Sequence, residues 1–501
     1  MQNGTLLAAV DLGSNSFRLE IGRFEHGQIH RCEYFKETVR QGNGLDENRN
    51  LTPEAMQRGW DCLARFGERL AGLKPGQVRA VATQTLREAR NRDEFLAPAH
   101  QILGFPIDVI SGREEARLIY QGVAHLLPQS DERRLVVDIG GRSTELILGH
   151  GYEARVMESF RVGSVAWSMR YFPDGQLTPR AFEAAEIAAK AVLDEALNAY
   201  RRDAWDLAYG SSGTIGAVGD VLGAAGWPAD RVTRAGLDWM LDRLIKAQRS
   251  DRVRLEGMRE DRRTVIGGGL SVLRAVFDLL QIDEMSAAQG ALRHGVLYDM
   301  LDREHEQTDL RSTSVQRLAE KFAVDAEQSL RVQRVAAHLF RQLFDGSLGS
   351  VEDRSRHLRK LNWGASLHEI GCQISHSEPH KHGAYILENT DAPGFAQHEL
   401  HRLGLLVLGH RGKLRKLEAD FEDLDFVAQL LSLRLAVVLC HARRDPDLKG
   451  LQLRWNPATD KQLSLRWRNG WSQTFPQSAH LLREEVLAWQ KTLWSLTISE
   501  G

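Results

Sequence analysis

The chain opens with LLAAVDLGSNSFRLEIGRF, in which hydrophobic and small or polar positions are sharply patterned. A run of small and apolar residues ends at Asp11, a Gly-Ser-Asn turn follows, and Phe17, Leu19 and Ile21 then fall on one side of the backbone. This predicts a buried strand, a tight turn and a half-buried strand. Residues 28–39 give a third strand. Thr52 and Pro53 open a helix that runs to about Leu70, with Pro at the first helical position, where its missing N–H breaks no helical hydrogen bond. VRAVAT near 78–83 and FPIDVIS near 105–111 read as short strands. In SGREEARLIYQGV, Leu118, Ile119 and Val123 have helical spacing, and Ser111 with Glu114 forms an S-x-x-E capping box.

The opening pattern then returns. RRLVVDIGGRSTELILG, residues 133–149, again runs strand, Asp, Gly-rich turn, strand, so the two copies are equivalent elements of two related lobes. WDLAYGSSGTIGAVGDVL gives a further strand, a Gly/Ser turn and a helix start, and VIGGGLSVLRAVFDLL a Gly cluster opening an apolar helix. The first ~300 residues are therefore mixed α/β. Helical patterns rich in Arg, Leu and His dominate after LDREHEQTDL, which places a boundary near 305–312. LQLRWNPATDKQLSLRW and LREEVLAWQKTLW close the chain as a β-hairpin and a helix. The expected domains are residues 1–122 and 123–305 as the two lobes, 306–445 as a helical domain, and 446–501 as a hairpin–helix unit.

Composition narrows the class without choosing a function. With 501 residues, 42% hydrophobic and 26% charged, the chain suits a soluble protein of several domains. A net charge of −2 gives no global attraction for polyanions, so nucleic acid is not an expected partner, and a phosphate-rich ligand needs a local basic groove. Cys32, Cys62, Cys372 and Cys440 form no CxxC pair, in keeping with a reducing cytoplasm. No stretch has the length of a spanning helix, and the N-terminal apolar run is short and interrupted by Asp11. The expected location is cytoplasmic, with peripheral attachment to the inner membrane left open.

Three turns carry the candidate chemistry. Gly13, Ser14, Asn15 and Ser16 read either as a cradle for an anion or as a plain hairpin turn. In the second turn, Gly140 and Gly141 allow close backbone approach, Ser143 and Thr144 supply hydroxyls, and Asp138 and Glu145 supply oxygen ligands suited to Mg²⁺. The third, Gly210, Ser211, Ser212, Gly213 and Thr214, precedes a helix, and a helix N-terminus attracts anions. Three such turns, each after a strand, favour phosphate binding. Glu114 is used by the capping box. Glu115 is free to face a cleft or to complement the helix dipole. Arg87 reads as a phosphate clamp or as a solvated helix residue.

AVDLGSNSFRL, TQTLREA, ISGREEARLIYQGV, VVDIGGRSTELILG and YGSSGTI, in this order, resemble the exopolyphosphatase / guanosine pentaphosphate phosphohydrolase family, and LHEIG, HKHGAYILENTDAPGF and GHRGKLRKL extend the likeness almost to the end. The likeness is nearest the long bacterial exopolyphosphatase form. It implies two lobes of the actin, Hsp70 and sugar-kinase superfold, an all-α HD-like third domain, and phosphates held between the lobes. It implies Glu115 as general base, Asp11 and Asp138 as paired aspartates at a Mg²⁺ site, Glu145 as its further carboxylate, and Arg87 as a contact to substrate phosphate. A monovalent cation such as K⁺ and a homodimer belong to the same set of expectations.

The implied activity is release of orthophosphate from the end of inorganic polyphosphate, with guanosine pentaphosphate as the alternative substrate. A kinase of the same superfold and a non-catalytic polyphosphate-binding module are the rivals. Where the family's second turn carries a third glycine, this chain has Arg142, which is strained if the position needs positive φ and a further phosphate contact if it does not. The HD-like region has His368–Glu369 in place of a His-Asp pair, so His376, His380, His382, His398, His401 and His410 read as polar packing, anion contacts or a metal site. Arg411, Lys413, Arg415 and Lys416 form a basic cluster that either guides polyphosphate or is simply solvated.

Overall fold

Five strands form the first sheet of the computed structural model: β1 (Leu6–Leu12), β2 (Phe17–Glu25), β3 (Gln28–Glu37), β4 (Val78–Ala82) and β5 (Ile107–Val109). All residues are described except 129, 229, 305–307, 344–350, 457–460 and 501. The sheet order is β3-β2-β1-β4-β5, with β1, β2 and β3 antiparallel and β4 and β5 parallel to β1. The second sheet contains β6 (Arg133–Ile139), β7 (Thr144–His150), β8 (Glu153–Phe160), β9 (Leu207–Ser211), β10 (Arg231–Thr233) and β11 (Glu284–Ala287). Its order, β10-β11-β9-β6-β7-β8, repeats the first sheet with β10 added at one edge. The duplication read from Asp11 and Asp138 is therefore structural. Both aspartates end the first strand of their sheet, and the residues directly across are Arg18 and Glu145.

These sheets and their helices make one unit, Met1–Asp309, and Leu310–Gly501 makes the other. Residues 305–307 of the expected boundary segment lie outside the described residues. The mixed α/β first unit has the duplicated layout of the actin-like fold. Thr52 caps helix Pro53–Leu70 through its side chain, and Phe66, Leu63 and Leu70 of that helix pack on Val10 and Leu19. Helix Gly112–Leu126, which runs through the 122/123 position of the expected lobe boundary, crosses helix Leu292–Glu304 at backbone distance. A Cβ on Gly295 would sit 1.7 Å from the Leu118 carbonyl oxygen, and one on Gly122 would sit 2.3 Å from that of Ala291. No other residue fits that crossing.

A buried ionic cluster locks the same crossing. Asp299 accepts hydrogen bonds from Arg79, Arg117 and Arg303, and Arg117 also donates twice to Glu114 at 2.8 Å. The Ser111 hydroxyl accepts from the Glu114 N–H, as the capping box requires. The Glu114 carboxylate serves the Arg117 bridge, so Glu114 is structural through a partner the sequence pattern did not reveal.

The second unit is helical, with a small sheet of β12 (Gln452–Asn456), β13 (Gln462–Trp467) and β14 (Ser495–Glu500). β12 and β13 pair antiparallel as expected, and residues 457–460 between them lie outside the described residues. β14 was not expected; it pairs parallel to β13 after helix Pro476–Trp489. One hydrophobic core joins Leu430 and Leu433 of the helices to Leu465, Trp489 and Leu496. His368, His380 and His410 are buried together, with ring centroids 5.5 and 6.3 Å apart. His368 and His410 bond backbone carbonyls through Nδ1, and burial first, then His368, holds the His410 pKa well below its usual value. Burial likewise lowers the pKa of His368 and of His380. Glu369 pairs with Arg443 at 2.7 Å. Arg411, Lys413, Arg415 and Lys416 are exposed, the last two on a 3-10 turn, Leu414–Asp420. Among the described residues no helix is long and apolar enough to cross a membrane.

Candidate active site

The ends of β1 and β6 bring the first two Gly-rich turns face to face across a cleft of about 280 Å³ in the first unit. A Cβ on Gly141 would lie 3.0 Å from the Ser14 Cβ, tighter than side chains ordinarily pack, so glycine favours this approach. Gly13, Ser14, Asn15, Ser16, Gly140, Gly141 and Ser143 all line the cleft, and so do Ser212, Gly213 and Thr214 at the start of helix Ser212–Ala224. Ser212 has φ 92, left-handed backbone that a serine rarely adopts. Such local strain gathers at functional sites.

Four carboxylates converge there. Asp11, Asp138 and Glu115 line the cleft, and Glu145 stands across from Asp138 in the sheet. Glu115 is 7% exposed. Burial is the main cause of its raised pKa; Arg87 opposes this and Asp11 adds to it. Asp138 is pushed up to about 7 by burial, against a Ser211 hydrogen bond and with help from Glu115. Burial, then Glu115 and Asp138, hold Glu145 well above the usual carboxylate range. A cation would relieve this mutual repulsion.

The donor set suits Mg²⁺. All the donors are oxygens, and Glu145 Oε2 is buried with no hydrogen-bond partner, while Oε1 accepts from Ser159 at 2.7 Å. Among the described residues no three His, Cys, Asp or Glu side chains form a complete metal cage. Mg²⁺ commonly keeps several waters and takes only one or two carboxylates beside substrate phosphates, so an incomplete cage is its usual setting.

Several expected contacts lie elsewhere. Arg87 sits behind Glu115, donating to its Oε2 at 2.7 Å and to the Ile110 carbonyl at 2.9 Å, with Gln84 holding its other nitrogens. It reaches the general-base candidate and does not line the cleft. The Thr144 hydroxyl is buried and donates to the Val162 carbonyl at 2.6 Å, and that of Thr214 donates to Ile139 at 2.9 Å. Ser211 is buried with its hydroxyl on the Gly290 carbonyl. These three hydroxyls hold the turns in place, and only the Thr214 position itself borders the cleft. Arg142 is not among the residues with positive φ, and it bonds Glu88 at 2.8 Å and the Gly42 carbonyl at 3.1 Å. It fastens the second turn to the first lobe without strain.

The sequence reading missed the basic wall. Arg18, Lys36, Arg259, Arg262 and Arg293 also line the cleft, Arg18 beside the first turn at Gly13 and Arg262 beside the third at Gly213. Arg18 is tied to Asp11 at 3.0 Å, and Asp11 holds its guanidinium charged against the cost of burial. Lys36 donates to Asp261 at 3.0 Å, yet burial and then Arg262 lower its pKa. Burial and then Arg18 do the same to Arg262. Buried cations that repel one another mark a place for an anion. The one available signal was the Arg-rich segment before VIGGG, which on its own looks like a solvated surface.

The model of the Ppx/GppA phosphatase family matches residues 21–304, and that of Ppx/GppA phosphatase domain III matches residues 310–486. The chain belongs to the Ppx/GppA phosphatase family. It is therefore a hydrolase, the enzyme class that the resemblance of its motifs implied. A guanosine-5′-triphosphate,3′-diphosphate pyrophosphatase of Vibrio atlanticus (strain LGP32) is 40% identical over 496 residues, which are 98% of each chain. One of the same name from Vibrio parahaemolyticus serotype O3:K6 is also 40% identical, over 99% of this chain and 98% of its own. Among solved structures, an exopolyphosphatase from Cytophaga hutchinsonii is 25% identical with a TM-score of 0.54, over 60% of this chain and 98% of its own. The Aquifex aeolicus Ppx/GppA family member is 25% identical with a TM-score of 0.51, over 60% and 99%.

Proposed function

We propose that the chain hydrolyses the terminal phosphoanhydride bond of the 5′-triphosphate of guanosine 5′-triphosphate 3′-diphosphate, releasing orthophosphate. The observation that carries the chemistry is Glu115, a buried carboxylate of raised pKa set among Asp11, Asp138 and the three turns. Likeness along the whole chain to pyrophosphatases named for this nucleotide supports the substrate. This reverses the order set out from sequence, which put inorganic polyphosphate first and the nucleotide second.

Glu115 takes a proton from a water molecule as its oxygen attacks the terminal phosphorus in line. The bond from that phosphorus to the bridging oxygen breaks, and the shortened nucleotide leaves. Arg87 keeps the Glu115 carboxylate oriented and ionised between turnovers. The turns around Gly13, Gly140 and Gly213 present backbone N–H groups, and Arg18, Lys36 and Arg262 offset the charge of the phosphate chain. Asp11, Asp138 and Glu145 would hold Mg²⁺, partly through waters, and the bound ion would neutralise charge on the terminal phosphates. Most of the acceleration then comes from positioning and charge stabilisation.

Inorganic polyphosphate remains a second reading, supported by the basic residues of the cleft, which suit any phosphate chain, and by the likeness of 60% of the chain to the Cytophaga hutchinsonii exopolyphosphatase. Orthophosphate release from each substrate, and competition between them, tests the assignment. The nucleotide should be cleaved with the higher kcat/KM and should inhibit polyphosphate cleavage competitively. Cleavage of polyphosphate alone would overturn the substrate while leaving the site.

A further inference from the structure

Among the described residues that line the cleft Tyr34 is the single aromatic side chain, and it is 39% exposed. The register of the first sheet fixes where it stands. Asp11 faces Arg18 across β1 and β2, and Arg18 faces Lys36 across β2 and β3, so these three form one row on one face. Glu20 and Tyr34 form the next row, two residues along. With strands ~4.8 Å apart and ~3.3 Å per residue, Tyr34 lies roughly 12 Å from Asp11. That is the reach of a triphosphate and a ribose, and the basic row lies between.

A bare phosphate chain gains nothing from this ring, whose face carries negative charge density. The ring is also furnished for a different ligand. The Arg293 guanidinium lies 4.9 Å from its centroid and that of Arg31 5.9 Å. Arg293 is itself fixed by an ion pair to buried Glu20, which His294 also approaches at 3.2 Å. A tyrosine and an arginine plane together offer stacking surface, and the guanidinium adds N–H donors that match the O6 and N7 acceptors of guanine.

We propose that Tyr34 and Arg293 form the subsite for the nucleobase of a nucleoside 5′-polyphosphate and so set the preference for the nucleotide over inorganic polyphosphate. This rests on the reading of the nucleotide as a substrate. The test compares parent, Tyr34→Ala and Tyr34→Phe on guanosine pentaphosphate and on inorganic tripolyphosphate. Base stacking sets the scale: Tyr34→Ala should raise KM for the nucleotide roughly 5- to 150-fold. KM for tripolyphosphate should move by less than about threefold, and Tyr34→Phe should keep the parent's ratio. Parallel changes on both substrates, or Tyr34→Phe behaving like Tyr34→Ala, would overturn the subsite with the nucleotide still a substrate. A parent that cleaves tripolyphosphate but not the nucleotide would overturn the substrate reading, and the subsite with it.

Discussion

Replacing Arg87 with methionine separates two roles for this arginine. The resemblance cast it as a contact to substrate phosphate, whereas the structure sets it behind Glu115 with a 2.7 Å bond to the carboxylate. Methionine keeps most of the stem's bulk and removes the charge. Burial already raises the Glu115 pKa, and Arg87 is the largest influence lowering it, so the substitution must raise it further. A general base works only when ionised, so the acid limb of the kcat/KM profile should move to higher pH. A hydrogen bond to a charged group contributes about 1.5–3 kcal/mol. On the acid limb this corresponds to a loss of roughly 10- to 150-fold. Activity should recover toward the parent value as pH rises. The assay is orthophosphate release across pH at subsaturating substrate. An equal loss at every pH, with the acid limb unmoved, would refute the reasoning and return Arg87 to a phosphate contact.

Asp299→Asn should destabilise the first unit by about 3–5 kcal/mol in chemical denaturation, because it leaves Arg79, Arg117 and Arg303 buried around a neutral group. Burial opposes ionisation of Asp299, but the three arginines outweigh it and depress its pKa. Its contribution is therefore present above the ordinary aspartate value of about 3.9 and is lost as pH falls below it toward the folded value. Asp138 has the opposite sign: with its folded pKa at about 7, its contribution is full below the ordinary aspartate value of about 3.9 and is lost as pH rises from there to about 7. Mg²⁺, whose ligands must be deprotonated, should accordingly raise Tm more at pH 8 than at pH 5, and equal shifts would speak against Asp138 as a ligand.

Local patterns made much of the fold legible. Thr52 caps its helix and Ser111 caps the helix of Glu115, as the sequence requires. Strand, Asp and Gly turn recur at Asp11 and Asp138 because each lobe rebuilds the same anion-facing corner. What escaped was set by partners distant in sequence. β14 pairs with β13 across helix Pro476–Trp489, and no short-range signal encodes that register. Lys36 sits on an ordinary alternating strand, and only the row Asp11–Arg18–Lys36, with Arg262 near enough to repel it, gives it a purpose. Thr144 has the residue type of a phosphate donor, yet the Val162 carbonyl already occupies its hydroxyl. Residue type announces chemistry, whereas burial and partners decide which atoms remain available for it.

The most direct measurement is orthophosphate release from guanosine pentaphosphate and Mg²⁺ by the parent and by Glu115→Gln, with thermal melts confirming that both are folded. General-base catalysis contributes about 10²- to 10⁴-fold, so Glu115→Gln should fall by that factor in kcat while its melt stays close to the parent's. A folded Glu115→Gln protein that turns over at the parent's rate would contradict the account.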